Sequence, residues 1–476
     1  MDWKTFYEKR NESGPSAKAL NAFFYPKNVA IIGASDQRGS VGYTLFQNAL
    51  SSKLYKKNVF AVNPNHVKIQ GQKAFKSVGA IPKDIDLAVI AVPAPFVAGV
   101  LIECQKKGVE CVIIISAGFG EIGNKDLDAK LHEAVAQSKS TRVIGPNCFG
   151  VYVGDNQLNT TFSEAHRIQM PKNGFVSFMS QSGALGLAIL DWMGTQQFGL
   201  GKFISYGNAI DVDESDLLDY LGSDAKTKVI TAYLEGVKHG RKFLQIAKRV
   251  TRQKPVIVLK GGITEQTHQA TASHTGSLAG NAALYHALFK QTGIIQANGL
   301  EELFAFAKTL ANEPLPAGDR VQIITNGGGL GIITADQVVQ AGLRLQPLRA
   351  GTKQALQMKM PKTATLSNPM DLVGDADIER YRTAIDACLS DDEIDMVLVL
   401  VLFNTPAIDE RMIAFLAEAR KKAKKPLTVL STGGDFTYAA RVKLERLGLV
   451  TYAYPSHAAL SLRALADYAL WRREHD

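Results

Sequence analysis

Cysteine is scarce in this chain. Four residues among 476, Cys104, Cys111, Cys148 and Cys388, show none of the spacings that hold a metal or a disulfide frame. Long apolar runs are missing as well. The longest, Met396 to Phe403, spans eight residues, against the roughly 20 that a membrane-crossing helix needs; it reads as a strand buried in a parallel sheet. The amino terminus, Met1-Asp2-Trp3-Lys4-Thr5, lacks the basic-then-apolar pattern of an export signal. These absences predict a cytoplasmic chain with reduced thiols, no membrane partner and no metal site of its own. Dense basic patches are also lacking. The formal charge is +9, from 54 Lys plus Arg and 45 Asp plus Glu, but the basic residues are spread out. The one tight run, Arg420 to Lys425, ends a predicted helix, where cations complement the helix dipole. No nucleic-acid motif accompanies it, so no nucleic-acid partner is expected.

What is present is alternation. Val29–Ile32, Val59–Val62, Leu87–Val92 and Val112–Ile115 read as strands buried on both faces, with amphipathic helical patterns between them. That pattern predicts an α/β fold with parallel sheets covered by helices. The length implies two to four domains, and composition breaks divide the chain into 1–146, 147–312 and 320–476, with a proline-bearing linker from Ala311 to Asp319.

The second and third divisions open with a repeat. Met179-Ser180-Gln181-Ser182-Gly183-Ala184-Leu185-Gly186-Leu187 matches Ile324-Thr325-Asn326-Gly327-Gly328-Gly329-Leu330-Gly331-Ile332 step by step in residue type. Each copy follows an apolar strand and opens a helix, where small residues and free N–H groups favour an anion. Ser182, Gly183, Gly328 and Gly329 are therefore candidate phosphate-binding residues. The first division has its own glycine-rich turn, Gly33 to Gly42. It breaks the dinucleotide fingerprint, because Ala34 and Ser35 stand where the second glycine belongs. A nicotinamide cofactor is disfavoured, and a polar loop with Arg38 suits a nucleotide whose phosphates lie differently.

Two residues stand out as chemistry. His274 lies in a loop of small residues, Thr271 to Gly280, that can present an imidazole to an incoming group; His268 is a weaker competitor. Glu235 ends an apolar strand at the edge where parallel sheets place ligands. A carboxylate there can hold one imidazole nitrogen and leave the other free to attack.

Five motifs taken together, Val92-Pro93-Ala94-Pro95, Ile144-Gly145-Pro146-Asn147-Cys148, Ser180-Gln181-Ser182-Gly183, Tyr233-Leu234-Glu235 and Ser273-His274-Thr275-Gly276, resemble the α subunits of ADP-forming (NDP-forming) acyl-CoA synthetases, in the succinyl-CoA synthetase superfamily. The resemblance runs from about Leu20 to Tyr468. It implies a CoA-binding Rossmann-like domain followed by two flavodoxin-like, succinyl-CoA-ligase-like domains. It further implies that His274 is transiently phosphorylated, that Glu235 orients it, and that the two repeat helices cradle the phosphoryl group. Gly33, Ser35, Arg38, Gly39, Ser40 and Val41 would hold CoA phosphates. Asn63, Pro64, Val92, Pro93 and Pro95 would line the CoA site, with Asn147 near the acyl end. The implied reaction also needs ADP or ATP with Mg²⁺ on an ATP-grasp β subunit, which the resemblance places on a separate chain, as an α2β2 assembly. A non-catalytic CoA-binding regulatory subunit, or a relative of protein acetyltransferases, is the alternative reading.

Overall fold

The structure, a computed structural model, describes residues 17–52, 55, 57–137, 140–196, 198–263 and 282–475. His268 and His274 lie outside the described residues. The chain forms two compact units, the first ending at Gln296 and the second beginning at Ala297.

The first unit carries two sheets. One is built from β1 (Val29–Ile32), β2 (Val59–Val62), β3 (Lys68–Ile69), β4 (Gln72–Phe75), β5 (Leu87–Ile90), β6 (Cys111–Ile114) and β7 (Arg142–Ile144), in the order β3-β4-β2-β1-β5-β6-β7. The neighbours are parallel except for the β3–β4 pair. All four residues of β1, β5 and β6 are buried, which is why these strands read as unbroken apolar runs. Helices α1 (Val41–Ser51) and α2 (Ala94–Lys107) follow β1 and β5. The chain leaves β1 for β2 on one side and returns to β5 on the other, so the strand order reverses between β1 and β5. The loops that follow these two strands diverge there and leave a crevice.

The second sheet contains β8 (Gly150–Val153), β9 (Asn173–Ser180), β10 (Leu200–Ser205), β11 (Val229–Leu234), β12 (Val256–Lys260) and β13 (Ile295–Ala297), in the order β13-β12-β11-β9-β10-β8. Helices α3 (Gly183–Thr195), α4 (Glu214–Ser223) and α5 (Gly240–Thr251) connect its strands. Its order reverses between β9 and β11, after which Gln181 and Glu235 follow.

The second unit begins with α6 (Leu300–Asn312) and holds β14 (Arg320–Thr325), β15 (Arg344–Leu345), β16 (Met370–Asp371), β17 (Met396–Leu400), β18 (Leu427–Leu430) and β19 (Thr451–Tyr452). The path is β15-β14-β17-β18-β19, with β16 also on β14. Helices α7 (Gly328–Gln340) and α8 (Arg411–Lys422) belong to it. Along β17, Met396, Leu398 and Leu400 enter one core while Val397 and Val399 enter the other. The uninterrupted run Met396–Phe403 is the signature of that two-sided burial.

The predicted linker is tied down at Glu313. Its carboxylate accepts from Arg420 Nε and from the Leu427 N–H, both at 3.0 Å, inside the second unit. Burial pushes this acid up to about 7 against the pull of Arg420. Arg420, the first residue of the basic run, thus serves an internal pair as well as the end of α8.

A buried ion network fastens the two sheets of the first unit. Arg142 on β7 donates from Nε to Asp211 and from an Nη to Asp216, each at 2.9 Å. Asp211 also accepts the Val143 N–H at 2.8 Å, and Lys242 on α5 reaches Asp216 at 2.6 Å. Removing one partner of such a network strands the opposite charges away from water. Arg142→Met is therefore expected to cost about 3–5 kcal/mol, read as a lower urea midpoint. Lys226→Met, which breaks the exposed pair with Asp155, should cost at most about 1 kcal/mol. Equal losses in the two variants would contradict the importance given to the network.

Candidate functional site

At the crevice of the first sheet, Gly33 takes φ +93°, and a Cβ there would lie 2.3 Å from the Ala91 carbonyl oxygen. Only glycine lets the β1 loop pass so close to the end of β5. The rest of the loop is organised by its own polar groups. Ser35 Oγ accepts the Gln37 N–H at 3.0 Å, and Ser40 Oγ caps α1 by accepting the Tyr43 N–H at 3.2 Å. Asn63 Nδ2 donates to the Ala34 carbonyl at 2.9 Å. Gln70 reaches across to the carbonyls of Ser35 and Tyr43. Arg38 and Gly39 are left exposed at the tip. On the other wall β5 stops at Ile90, two residues short of the apolar run read from the sequence. Ala91 still donates to Ile32 O, but Val92 turns its carbonyl to the Ser116 hydroxyl at 2.6 Å. Pro93 then stands as the N-cap of α2, with Pro95 in its first turn.

A cavity of about 680 Å³ lies beside this crevice within the first unit. Val41, Val92 and Pro93 line it from the first sheet; Asn147, Ser182 and Gly183 line it from the second half of the unit. Asn147 sits at φ +56°, a left-handed conformation that Asn tolerates well. Its N–H donates to Ser116 O at 2.9 Å and its amide to Asn208 at 3.2 Å. Phe149 and Phe162, edge to face at 4.6 Å between centroids, give the cavity an apolar wall together with Leu187. Cys148 also borders it, but its thiol donates to Ile114 O at 3.3 Å and burial pushes it up to about 12. It is a packed, unreactive thiol.

Helix α3 meets the cavity at its N-terminus. Ser182 Oγ accepts the Leu185 N–H at 3.3 Å, and the first turn carries no acidic side chain. A Cβ on Gly183 would meet Phe149 at 3.4 Å and the Ser205 hydroxyl at 3.8 Å, both ordinary contacts. The free N–H groups of α3 thus face a largely apolar space, where a helix end favours an anion most.

Glu235 does not line the cavity but is joined to it. It is 6% exposed, so the solvated strand-end acid that residue type alone would suggest is not what the fold builds. Gln181, a cavity residue, accepts from the backbone N–H groups of Glu235 and Gly236. Tyr233 hydrogen-bonds the Glu235 carboxylate; burial, with that charge and hydrogen bond, raises the phenol to about 12.

The second copy of the repeat forms the same local structure in the second unit. Ser180 Oγ donates to Ser182 O at 2.7 Å; Thr325 Oγ1 donates to Gly327 O at 3.1 Å. The copies differ at the helix mouth. A Cβ on Gly328 would lie 2.6 Å from Asp371 Oδ2, whereas Gly329 has open space.

The fold therefore gathers Val41, Val92, Pro93, Asn147, Ser182 and Gly183 around one cavity and links Glu235 to it. Gly33, Ser35, Arg38, Gly39, Ser40, Asn63, Pro64 and Pro95 stand on the loops and helix starts at the same strand edge without lining that cavity. Phe149 and Phe162 carry no spacing signal in the sequence, and Leu187 stands there only as the last residue of the repeat. Gln181 lies inside the Ser180–Gly183 motif with no role assigned to it there, and Lys260 was missed; its signal is a cation directly after the apolar run Val256–Leu259.

Residues 27–154 match a CoA binding domain family, 173–310 a succinyl-CoA ligase like flavodoxin domain and 321–475 a ligase-CoA domain. The α subunit of ADP-forming acetate–CoA ligase II of Pyrococcus furiosus is 40% identical, over 94% of this chain and 98% of that one. The ADP-forming acetate–CoA ligase of Methanocaldococcus jannaschii is 39% identical over 96% of this chain but only 64% of its own length. A solved structure, the dinucleotide-forming acetyl-coenzyme A synthetase 1 of Candidatus Korarchaeum cryptofilum in complex with phosphate and ADP, superimposes with a TM-score of 0.89 at 36% identity, over 95% of this chain and 97% of that one. By full-length relatedness, by its three matched domains and by its fold, the chain belongs to the α subunits of the ADP-forming acyl-CoA synthetases, in the succinyl-CoA synthetase superfamily.

Proposed function

We propose that the chain is the catalytic α subunit for acyl-CoA + phosphate + ADP ⇌ carboxylate + CoA + ATP. The observation that carries this reading is the cavity running from Val92 and Pro93, beside the crevice of the CoA-binding sheet, to the N-terminus of α3. A thioester entering from the first and an inorganic phosphate held at the second would meet there. Phosphate oxygen attacks the thioester carbonyl, the C–S bond breaks, and CoA leaves as thiolate, giving an acyl phosphate. An imidazole nitrogen of His274 then takes the phosphoryl group from the acyl phosphate and releases the carboxylate. Glu235 holds the other imidazole nitrogen and balances the charge that develops on the ring. The α3 N–H groups stabilise the spread negative charge of the transferring phosphoryl group in a water-poor space. Gly328 and Gly329 at α7 are proposed as the second phosphoryl-binding helix end.

The loop Gly33–Gly42, with Ser35, Arg38, Gly39 and Ser40, is assigned to the CoA phosphates, and Asn63, Pro64 and Pro95 to the border of that site. We assign ADP or ATP to an ATP-grasp β subunit in an α2β2 assembly in the cytoplasm. The subunit designation of the Pyrococcus relative and the greater length of the Methanocaldococcus relative support a partner. Mg²⁺ bound with the nucleotide on that subunit would supply charge neutralisation.

Purified chain incubated with acetyl-CoA and radiolabelled phosphate should acquire a label stable in base and lost in acid, as a phosphoramidate is. His274→Ala should carry none while still binding CoA; a label that persists, or that follows His268→Ala, contradicts the assignment. Glu235→Gln should slow labelling by roughly 10²-fold, as loss of a positioned acid or base group does. The chain alone should form no ATP from ADP, and an ATP-grasp partner should restore synthesis. ATP formation that needs no partner would place a nucleotide site on this chain and refute the two-subunit scheme.

A further inference from the structure

Glu235 is held by its peptide groups as well as by its carboxylate. On one side Gln181 Oε1 accepts the N–H groups of Glu235 and Gly236, and its Nε2 donates back to the Gly236 carbonyl at 3.0 Å. On the other, Lys260 Nζ donates to the Glu235 carbonyl at 2.8 Å and to the Gly261 carbonyl. Lys260 is the last residue of β12, is 6% exposed, and carries its ammonium 4.6 Å from the centre of the Tyr285 ring. Tyr285 in turn accepts the Val237 N–H at 3.2 Å, fixing the next turn of the same segment.

A strand end at the open edge of a sheet can satisfy its carbonyls with water. Spending a buried cation there is costly, because an ammonium taken from water must recover its hydration from protein groups. Burial accordingly pulls Lys260 down to about 8, against the favourable charge of Glu235. The expense makes sense if the direction of the Glu235 side chain matters, since a carboxylate follows the peptide planes on either side of its Cα.

We propose that Gln181 and Lys260 are positioning residues, which clamp the two peptide groups flanking the Glu235 Cα and so aim its carboxylate. The proposal rests on the functional reading above and deepens it. Gln181 begins the turn that Ser182 completes at the mouth of α3, so the same side chain ties the proposed phosphate site to the acid that would orient the nucleophile.

Gln181→Met and Lys260→Met nearly preserve side-chain length and remove the hydrogen bonds. Each should slow labelling of the chain by acetyl-CoA and phosphate about tenfold or more, as small misplacements of reacting groups do, while Lys260→Met leaves the CoA dissociation constant unchanged. Neither should slow a Glu235→Gln background any further, because a residue that acts through Glu235 has nothing left to position. Additive losses in that background, or wild-type rates in both single variants, overturn the clamp while leaving the phosphohistidine reading intact. If Lys260→Met fails to fold, the Gln181→Met half of the cycle decides by the same criteria. A wild-type chain that never acquires the label refutes the functional reading itself and removes the clamp with it.

Discussion

Two parallel strands can be joined only by a crossover, and where successive crossovers run to opposite sides the chain leaves a gap above the strand ends. Among the described residues the chain meets that constraint three times, at β1/β5, at β9/β11 and at β14/β17. Each gap is flanked by a helix start that must offer free N–H groups. The residues proposed for the chemistry stand at these gaps: the Gly33–Ser40 loop beside Val92 at the first, Ser182 with Glu235 at the second, Gly328 and Gly329 at the third. The cavity takes its lining from residues beside the first two gaps, within one compact unit, with Phe149 and Phe162 as an apolar wall.

Each unit also buries charge. Arg142 with Asp211 and Asp216, and Glu313 with Arg420, are interior pairs in which each partner is the other's solvent. Such pairs stabilise less than an apolar contact of equal size, yet they fix geometry because neither partner can be withdrawn cheaply. Lys260 belongs to the same economy of buried charge. The difference is that its partners are carbonyls at a strand end beside Glu235 rather than carboxylates in the packed interior.

Local patterns carried most of the architecture into the sequence. Four apolar runs became strands β1, β2, β5 and β6 with ends at or within two residues of those runs, because two-sided burial forces continuous apolar character. The repeat was legible because a strand-to-helix turn beside a close backbone neighbour admits few residue types, and Ser180 and Thr325 turn out to make the same hydroxyl-to-carbonyl bond. Glu235 was legible as a carboxylate ending an apolar strand, but not as a buried one, since the side chains that bind its peptide groups, Gln181 after β9 and Lys260 at the end of β12, lie far from it in the sequence. The Arg142 network joins residues some 70 positions apart, and nothing in the spacing of single charges announces such pairs. The linker reading of Ala311–Asp319 likewise saw the prolines and missed that Glu313 had a partner more than 100 residues away.

The proposed chemistry requires one cavity to bring a thioester to an anion-binding helix end. A crystal structure of the chain with CoA and inorganic phosphate tests it most directly. The account predicts the CoA sulfur inside the cavity, among Val92, Asn147 and Phe149, and a phosphate on the N–H groups that open α3, with the nucleotide end of CoA on the Gly33–Ser40 loop. A sulfur lying outside the cavity, or a phosphate bound away from the α3 N-terminus, would contradict it.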